Sequence, residues 1–543
     1  MAALIVTVML IPQSLAYAML AGLPAATGLY ASMLPLLAYA LFGSSRTLSV
    51  GPVAVISLLS ANAVGIAHQK SGIDVLTLSM SLALLSGVLM MAMGTLKLGF
   101  IANLLGRPVI IGFITGASIL IALGQFKHLL GIPLAGHSLP ELAQGLWTNA
   151  SHTHMVTVLV GLSSVGFLFW ARYSLSSLLQ NIMAKPSAAA LSKMAPVCAV
   201  IVAIIFVSLL SLDQLGLQVV GYIPSGLPSL ALPNVKLDVL VVLLPSALMI
   251  SLIGYVESIS VAQTLANKRR QQINPNHELL GLGAANMASA ASGGFAVTGG
   301  FSRSVVNFDA GAQTPMAGVF TAFGIALASL YLTPLLAMLP KAVLGATIFV
   351  AVLGLIEPHE IKQTWQYSKN DFSALVITLF SVLIFGVEAG VIAGVSATIL
   401  LLLWRTSRPH TAIVGPLPGS EHFRNIQRHK VSQSEHVVAL RIDESLFFGN
   451  VRYLNQQLNK LLIQHIHLKH LILMASGINH IDSSALESLL EFNQRLKDKG
   501  IKMHLSEVKG PVIDRLSRVD FETQLTGKVY LSQHEAWQDL NTL

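Results

Sequence analysis

The strongest constraint on this sequence is how far it runs without charge. Its first hundred residues carry four charged side chains, Arg46, Lys70, Asp74 and Lys97. Over all 543 residues, 53% are hydrophobic and 11% are charged, against about 25% charged in soluble domains. Most of such a chain is expected inside a bilayer, where helices satisfy their own backbone groups. The net charge of +8 comes from basic residues scattered between apolar runs. That scatter fits the positive bias of cytoplasmic loops rather than a nucleic-acid surface, so no nucleic-acid partner is expected. Cys198 is the only cysteine, which excludes an internal disulfide. Met1–Leu10 is apolar from the outset and shows no positive n-region of a cleavable signal. The chain is expected to begin inside its first membrane helix, with residues upstream of it missing.

A spanning helix needs about 20 apolar residues. Leu4–Leu20 and Leu29–Leu41 read as a hairpin around Gly22-Leu23-Pro24. Val75–Met93, Phe100–Leu123, Val156–Trp170 and Met194–Leu210 read as further spans, with a polar loop at 127–154. Gln214–Asp238, rich in Pro and Gly, reads as a linker. Beyond it come Val239–Ala266, Leu279–Ala291, Met316–Tyr331, Leu335–Leu355, Phe372–Phe385 and Val391–Trp404. Two apolar segments are broken: Leu48–Val55 by Gly51-Pro52, and Phe295–Ser304 by Thr298-Gly299-Gly300. Proline suits a first helical turn, and glycine punctuates a helix. Each break therefore reads as an extended piece followed by a half-helix. Counting them gives seven segments plus seven, each half broken at its third. This pattern predicts an all-α polytopic membrane domain over 1–408, a 7+7 inverted repeat with halves at about 1–212 and 238–408.

Broken helices at corresponding places in two halves point to a binding site at the bilayer midplane. Half-helix N-termini offer unpaired N–H groups and about half a positive charge each. Arg303, always charged, stands where the second half-helix restarts. Two such termini and a guanidinium make a credible site for a small oxyanion. A second reading keeps Arg303 as a side chain that snorkels to the cytoplasmic face. Gln13 follows Pro12 in a nearly nonpolar helix, so its amide is expected to face protein or water. A hydrogen bond between helices would serve it as well as a substrate would.

Glu257 is the only charge between Val239 and Ala266, and an intramembrane carboxylate marks function by default. Desolvation penalises its charged form, which suits a group that picks up and releases a proton. A fixed ion pair with Arg303 is the plainer alternative. Sodium coupling is another, with Thr298, Ser258, Ser260 or backbone carbonyls as further oxygen ligands. Importing a sulfate dianion against −100 mV costs about 4.6 kcal/mol on the electrical term alone, which favours coupling.

Lys and Arg cluster in three loops, at Arg172, Lys185 and Lys193, at Lys268-Arg269-Arg270, and at Lys362 and Lys369. With fourteen segments these loops share one side with both termini, which is then the cytoplasm. From about residue 409 the chain turns soluble in character. Val437–Ile442, Leu468–Met474 and Ile501–Leu505 read as strands, and Asn450–Ile466 and Ser483–Lys497 as helices. Together they predict a small α/β domain over 409–543. Asp482 is a plausible N-cap. His465, His467 and His470 lie close together without a carboxylate or cysteine at ligand spacing, so a solvated surface is expected and no metal. The glycine-rich run at 291–300 lacks a phosphate-loop lysine. No nucleophile and base pair up, so the protein is not expected to be an enzyme.

Several spaced motifs carry a family resemblance across nearly the whole chain. Pro12-Gln13-Ser14-Leu15-Ala16-Tyr17-Ala18, Ala21-Gly22-Leu23-Pro24, Gly28-Leu29-Tyr30, Gly43-Ser44-Ser45-Arg46 and Val50-Gly51-Pro52 resemble the opening signature of the SulP anion transporters. Phe301-Ser302-Arg303-Ser304 with Asn307 and Ala310-Gly311 resembles their second signature. Phe447-Phe448-Gly449-Asn450 and Ile481-Asp482-Ser483-Ser484-Ala485-Leu486 resemble the STAS domain that follows it. The resemblance implies a solute carrier 26-like fold, divided into a core and a gate, and usually dimeric. It implies alternating access of the elevator kind. It also implies that Gln13, Tyr17, Val53, Ala54, Phe301, Ser302 and Arg303 line one substrate cavity. Proton-coupled sulfate uptake across a bacterial inner membrane is the leading expectation. Sodium-coupled bicarbonate transport, proton-coupled dicarboxylate transport and uncoupled exchange or channel flow stay open. No cofactor is expected beyond a coupling proton or sodium. The STAS domain offers a surface for a cytoplasmic partner. Asp482 and Ser483 are its regulatory candidates, because Ser483 matches a position phosphorylated in some bacterial STAS regulators. Met474 departs from the acidic residue often found at that strand end.

Overall fold

The computed structural model of the chain describes residues 2–104, 106–134, 136–181, 192, 194–234 and 236–541, without the side chains of 103 and 104. Lys185 and Lys193 lie outside the described residues. The chain divides into two compact units, Met1–Thr398 and Ile399–Leu543.

The first unit is built of apolar helices. Among the described residues eight helices are long and apolar enough to cross a membrane, and Ala195–Leu210 and Met316–Tyr331 are shorter apolar helices. Its elements run α1 (Ala2–Leu20), α2 (Ala25–Tyr30), α3 (Leu34–Phe42), β1 (Val50–Gly51), α4 (Ala54–Ser71), α5 (Val75–Thr95) and α6 (Arg107–Gly124). Next come α7 (Phe126–Leu130), α8 (Leu139–Asn149), α9 (Met155–Trp170), α10 (Ala195–Leu210), α11 (Leu237–Lys268) and α12 (Pro275–Ala291). Then follow β2 (Thr298–Gly299), α13 (Phe301–Asp309), α14 (Met316–Tyr331), α15 (Lys341–Leu353), α16 (Lys369–Phe385) and α17 (Val387–Thr406).

These helices pack as two bundles. One joins α1 to α5 with α11 to α14; the other joins α6, α7, α9, α10, α15 and α16. Without a hydrophobic drive between helices in lipid, close approach rests on small residues. At the α5–α12 crossing a Cβ on Gly87 would lie 2.8 Å from the Gly283 carbonyl oxygen, and one on Gly283 would lie 2.9 Å from that of Gly87. In the second bundle a Cβ on Gly112 would come 2.4 Å from the Leu375 carbonyl oxygen, joining α6 to α16. Gly394 sets α17 against Thr378 of α16 and Val109 of α6 in the same way.

The predicted segments need four corrections. The unit is not purely helical, because the two extended pieces pair as a two-stranded ladder. Extended backbone at membrane depth must find partners, and each piece finds the other. The span Leu29–Leu41 breaks between α2 and α3, where Pro35 sits in the first turn of α3. The span Leu335–Leu355 is interrupted by Pro340, which N-caps α15. The 127–154 loop holds two helices, α7 and α8. Ser138 N-caps α8 with Pro140 in its first turn and Glu141 at the third position, a sequence signal for a helix start.

The second unit is a six-stranded sheet with helices packed on it. Its strands are β3 (Thr411–Pro416), β4 (Phe423–Asn425), β5 (Val437–Ile442), β6 (His470–Met474), β7 (Lys502–Ser506) and β8 (Val529–Tyr530), in the order β4-β3-β5-β6-β7-β8. β5 to β8 run parallel, and β3 and β4 add an antiparallel edge. The parallel strands carry continuous apolar runs such as Leu471-Ile472-Leu473, buried on both faces. α18 (Val451–Gln464) and α19 (Ser483–Asp498) cover one face. Trp537 and Leu540 of the last helix, Gln533–Asn541, pack on the other.

Candidate functional site

β1 and β2 pair antiparallel, Val50 opposite Gly299 and Gly51 opposite Thr298. Each strand runs straight into a half-helix, so α4 and α13 leave the ladder in opposite senses with their N-termini at the centre. Neither terminus has a side-chain cap. The first N–H groups of both half-helices therefore remain available to a ligand.

Other backbone polar groups around the breaks find partners within the protein. Gly300 N–H donates to the Ser49 carbonyl at 3.0 Å, and Ser49 N–H donates to the Ser304 hydroxyl at 2.9 Å. The side-chain amide of Asn286 acts as a third strand: its Nδ2 donates to the Val297 carbonyl at 2.8 Å, and Val297 N–H donates to its Oδ1 at 2.9 Å. Ser289 donates to the Phe295 carbonyl at 2.6 Å. Gly299 N–H donates to Ser258 Oγ at 2.8 Å. Thr298 Oγ1 donates to the Gly254 carbonyl at 2.6 Å, so Ser258 Oγ must donate across the 2.6 Å separation to Thr298 Oγ1. Both hydroxyls are thereby committed to holding β2 against α11.

Arg303 occupies the gap between the strand ends. It is 3% exposed, so it does not snorkel to a surface. Its Nη1 donates to the Pro52 carbonyl at 2.6 Å. Nε and Nη2 are buried with no hydrogen-bond partner among the described residues. Glycine makes the gap. A Cβ on Gly300 would lie 2.9 Å from Arg303 Nη2, and one on Gly51 would lie 3.2 Å from it. Unpaired buried donors on a cation are costly unless a ligand supplies acceptors.

A cavity of about 480 Å³ opens between the two bundles at this point. Gln13 and Tyr17 of α1, Val53 and Ala54 at the first half-helix, and Phe301, Ser302 and Arg303 at the second all line it, together with Glu257 of α11. The seven predicted substrate residues thus share one space. Glu257 is half-buried and makes no hydrogen bond or ion pair among the described residues, so it is not locked to Arg303. Thr298, grouped with Glu257 in the sequence reading, does not line the cavity. It stands behind the ladder.

Two residues escaped the sequence reading. Arg172, read there only as a loop charge, lines the same cavity. It sits in a π-helical turn, Ala171–Leu175, and donates from Nη1 to the Val350 carbonyl at 3.0 Å. Such turns gather at functional sites. Glu278 of α12 is fully buried. It accepts from Tyr39 Oη at 2.7 Å, from Ser44 N–H at 2.9 Å and Oγ at 2.6 Å, and from Ser45 N–H at 2.8 Å. This pins the chain leading into β1 onto α12. Arg269 serves the other half-helix, donating to the Ala312 and Phe308 carbonyls beyond the middle of α13.

In the second unit Asp482 N-caps α19, accepting from Ala485 N–H at 2.8 Å, and also accepts from Phe448 N–H at 2.9 Å. Ser483 is exposed beside it. His504 is 2% exposed. It accepts Lys528 N–H at Nδ1 (3.1 Å), so its Nε2 carries the proton and faces His470 Nδ1 at 3.1 Å. Burial, and then repulsion from His470, Lys502 and Lys528, hold the His504 imidazole down to about 4.

A helical membrane unit with two half-helix N-termini converging on one charged cavity, followed by a separate α/β unit, is the build of a polytopic transporter with a STAS domain. The chain belongs to the sulfate permease family, whose sequence profile matches residues 1–378, and a STAS domain profile matches 429–536. It is 33% identical over 561 residues to the chloroplastic sulfate transporter 4.1 of Arabidopsis thaliana, covering 99% of this chain and 79% of that protein. Its fold is similar to that of the murine solute carrier 26 family member A9 anion transporter, solved inward-facing, with a TM-score of 0.88 at 24% identity, covering 100% of this chain and 91% of that one. It is also similar to the transmembrane domain of a cyanobacterial bicarbonate transporter, BicA, with a TM-score of 0.60 at 23% identity, covering 72% of this chain and 95% of that one.

Proposed function

We propose that the protein is a secondary active transporter that takes up a small oxyanion, sulfate foremost, together with protons. The observation that carries this reading is Arg303, buried with unpartnered donors between two uncapped helix N-termini, all lining one cavity. A tetrahedral oxyanion supplies acceptors for those donors and negative charge for the termini. The naming of similar proteins as sulfate transporters points the same way. Glu257 is the proton carrier. It shares the cavity and is free of a fixed partner, while the hydroxyls of Ser258 and Thr298, which a sodium ion would need, are tied into the ladder.

Transport proceeds by elevator-like alternating access, the bundle that bears the half-helices moving against the other. The chain has fourteen segments in a 7+7 inverted repeat and works as a homodimer in a bacterial inner membrane. Its STAS domain and termini lie in the cytoplasm, on the side of the Lys- and Arg-rich loops. The test is uptake of labelled sulfate, bicarbonate and dicarboxylates into proteoliposomes under imposed pH or sodium gradients. Arg303→Ala should abolish sulfate uptake, and Glu257→Gln should make it indifferent to the pH gradient. Wild-type flux in Arg303→Ala would remove the site, and unchanged coupling in Glu257→Gln would remove the proton.

A further inference from the structure

Glu257 has a second face. Away from the anion cavity it lines a separate crevice of about 20 Å³ between the bundles, with room for little more than a water molecule. Every other residue there is apolar. Val109, Ile110, Phe113 and Ile114 come from α6 and Val391 comes from α17, while α11 adds only apolar neighbours of Glu257 itself. The spacing of 110, 113 and 114 puts them on one helical face. The titratable or cationic groups that share space with Glu257 lie on the cavity side: Tyr17 of α1, Arg303 of α13 and Arg172 beyond α9. α6 and α17 bring none to the crevice.

We infer that this apolar face of α6 and α17 is the element that enforces coupling, by letting the anion-loaded carrier pass only when Glu257 is protonated. The inference rests on the proposal that Glu257 carries the proton and that the bundles move past each other. α11 belongs to the bundle with the half-helices, whereas α6 and α17 belong to the other. Movement therefore drags Glu257 along a surface that offers no donor: the crevice wall is apolar, and Glu388 of α17, which accepts from Ser246 Oγ of α11 at 3.0 Å, adds only another acceptor. With Arg303 committed to a bound anion, an ionised carboxylate would lose its water there and gain nothing, but a protonated one passes as a small polar group. The wall leaves anion binding alone and forbids slippage of the loaded carrier with Glu257 ionised; the empty carrier returns deprotonated, with Arg303, released from its anion, as the counter-ion of Glu257 across the cavity they share.

The test places an amide donor on the wall. Ile110→Asn and Ile114→Asn, each in the full chain in proteoliposomes, are compared with wild type, Glu257→Gln and Ile114→Leu. Sulfate uptake is measured with and without an inward proton gradient, alongside sulfate affinity. One amide bond to the passing carboxylate should speed gradient-independent flux about tenfold or more. The benefit of the gradient should shrink accordingly, with affinity unchanged, because neither isoleucine lines the anion cavity. Ile114→Leu should retain coupling. If both Asn variants bind sulfate normally and stay as tightly coupled as wild type while Glu257→Gln is uncoupled, the wall has no role. If Glu257→Gln itself keeps its response to the gradient, the proton reading has failed and takes the wall with it. Should an Asn variant not be monodisperse, the near-isosteric Val391→Thr makes the same test from α17.

Discussion

Replacing Gly300 by alanine tests whether the site depends on where the guanidinium sits. Gly300 has φ −84° and ψ 125°, ordinary for any residue, so the substitution carries no backbone strain. Alanine is a poorer N-cap than glycine, a loss of under about 1 kcal/mol in stability. The main consequence is steric. The new Cβ would stand 2.9 Å from Nη2 and 3.0 Å from Cζ of Arg303, so the guanidinium must retreat by roughly half an ångström. It is hemmed in by Gly51 and tied to the Pro52 carbonyl at 2.6 Å. Retreat weakens its contact with an anion held by the fixed helix termini. Losing one charge-assisted hydrogen bond costs about 1.5–3 kcal/mol, or roughly 10- to 150-fold in affinity. Gly51→Ala, with its Cβ at 3.2 Å, should cost less. Calorimetric titration of the purified chain with sulfate, beside its thermal unfolding, measures both effects. Wild-type affinity in a folded Gly300→Ala protein, or a larger loss in Gly51→Ala, would refute the idea that the two glycines set the cation's position.

Two further outcomes follow from the same geometry. Asn286→Leu should orphan both the N–H and the carbonyl of Val297 at about 1–3 kcal/mol each; thermal unfolding of the full chain should show that loss, whereas Asn286→Asp keeps only an acceptor and should lose less. In the STAS unit, His504 stays neutral down to about 4 against an ordinary 6.5. The unfolded chain then takes up the proton first, so stability holds above about pH 6.5, falls as pH drops toward 4, and loses about 3 kcal/mol at most. Hydrogen exchange in 502–506, corrected for intrinsic rates, should show this in wild type and not in His504→Gln.

Much of the membrane unit was legible because proline and glycine punctuate apolar sequence. Gly51-Pro52 and Gly299-Gly300 declared the breaks, and Arg303 and Glu257 stood out as lone charges in apolar surroundings. The α/β order of the tail was legible from its alternation of strands and helices, although β4 and β8, three and two residues long, are too short to announce themselves, and β3 ends in Gly415-Pro416, which reads as a turn. Arg172 was hidden because no local pattern reveals a π-turn that aims it at the cavity. Glu278 was hidden for a different reason. In sequence it looks like an acidic residue in the first turn of α12, where such residues are common. Only the fold brings Tyr39, Ser44 and Ser45 around it.

The ladder explains why the two halves must act together. Extended backbone is tolerated in a bilayer only when protein satisfies it, and β1 and β2 satisfy each other across some 250 residues of sequence. Neither break is satisfied until both halves have folded. The second break leans further on α11 and α12, through Ser258, Thr298, Asn286 and Ser289. α11 also carries Glu257, so the helix that braces the ladder holds the carboxylate at a set depth beside it. That linkage braces cation, helix termini and carboxylate as one unit; under the proposed alternating access they would travel together, with Glu257 the member that the apolar face of α6 and α17 meets. Coupling by separate, flexible parts would need no such bracing.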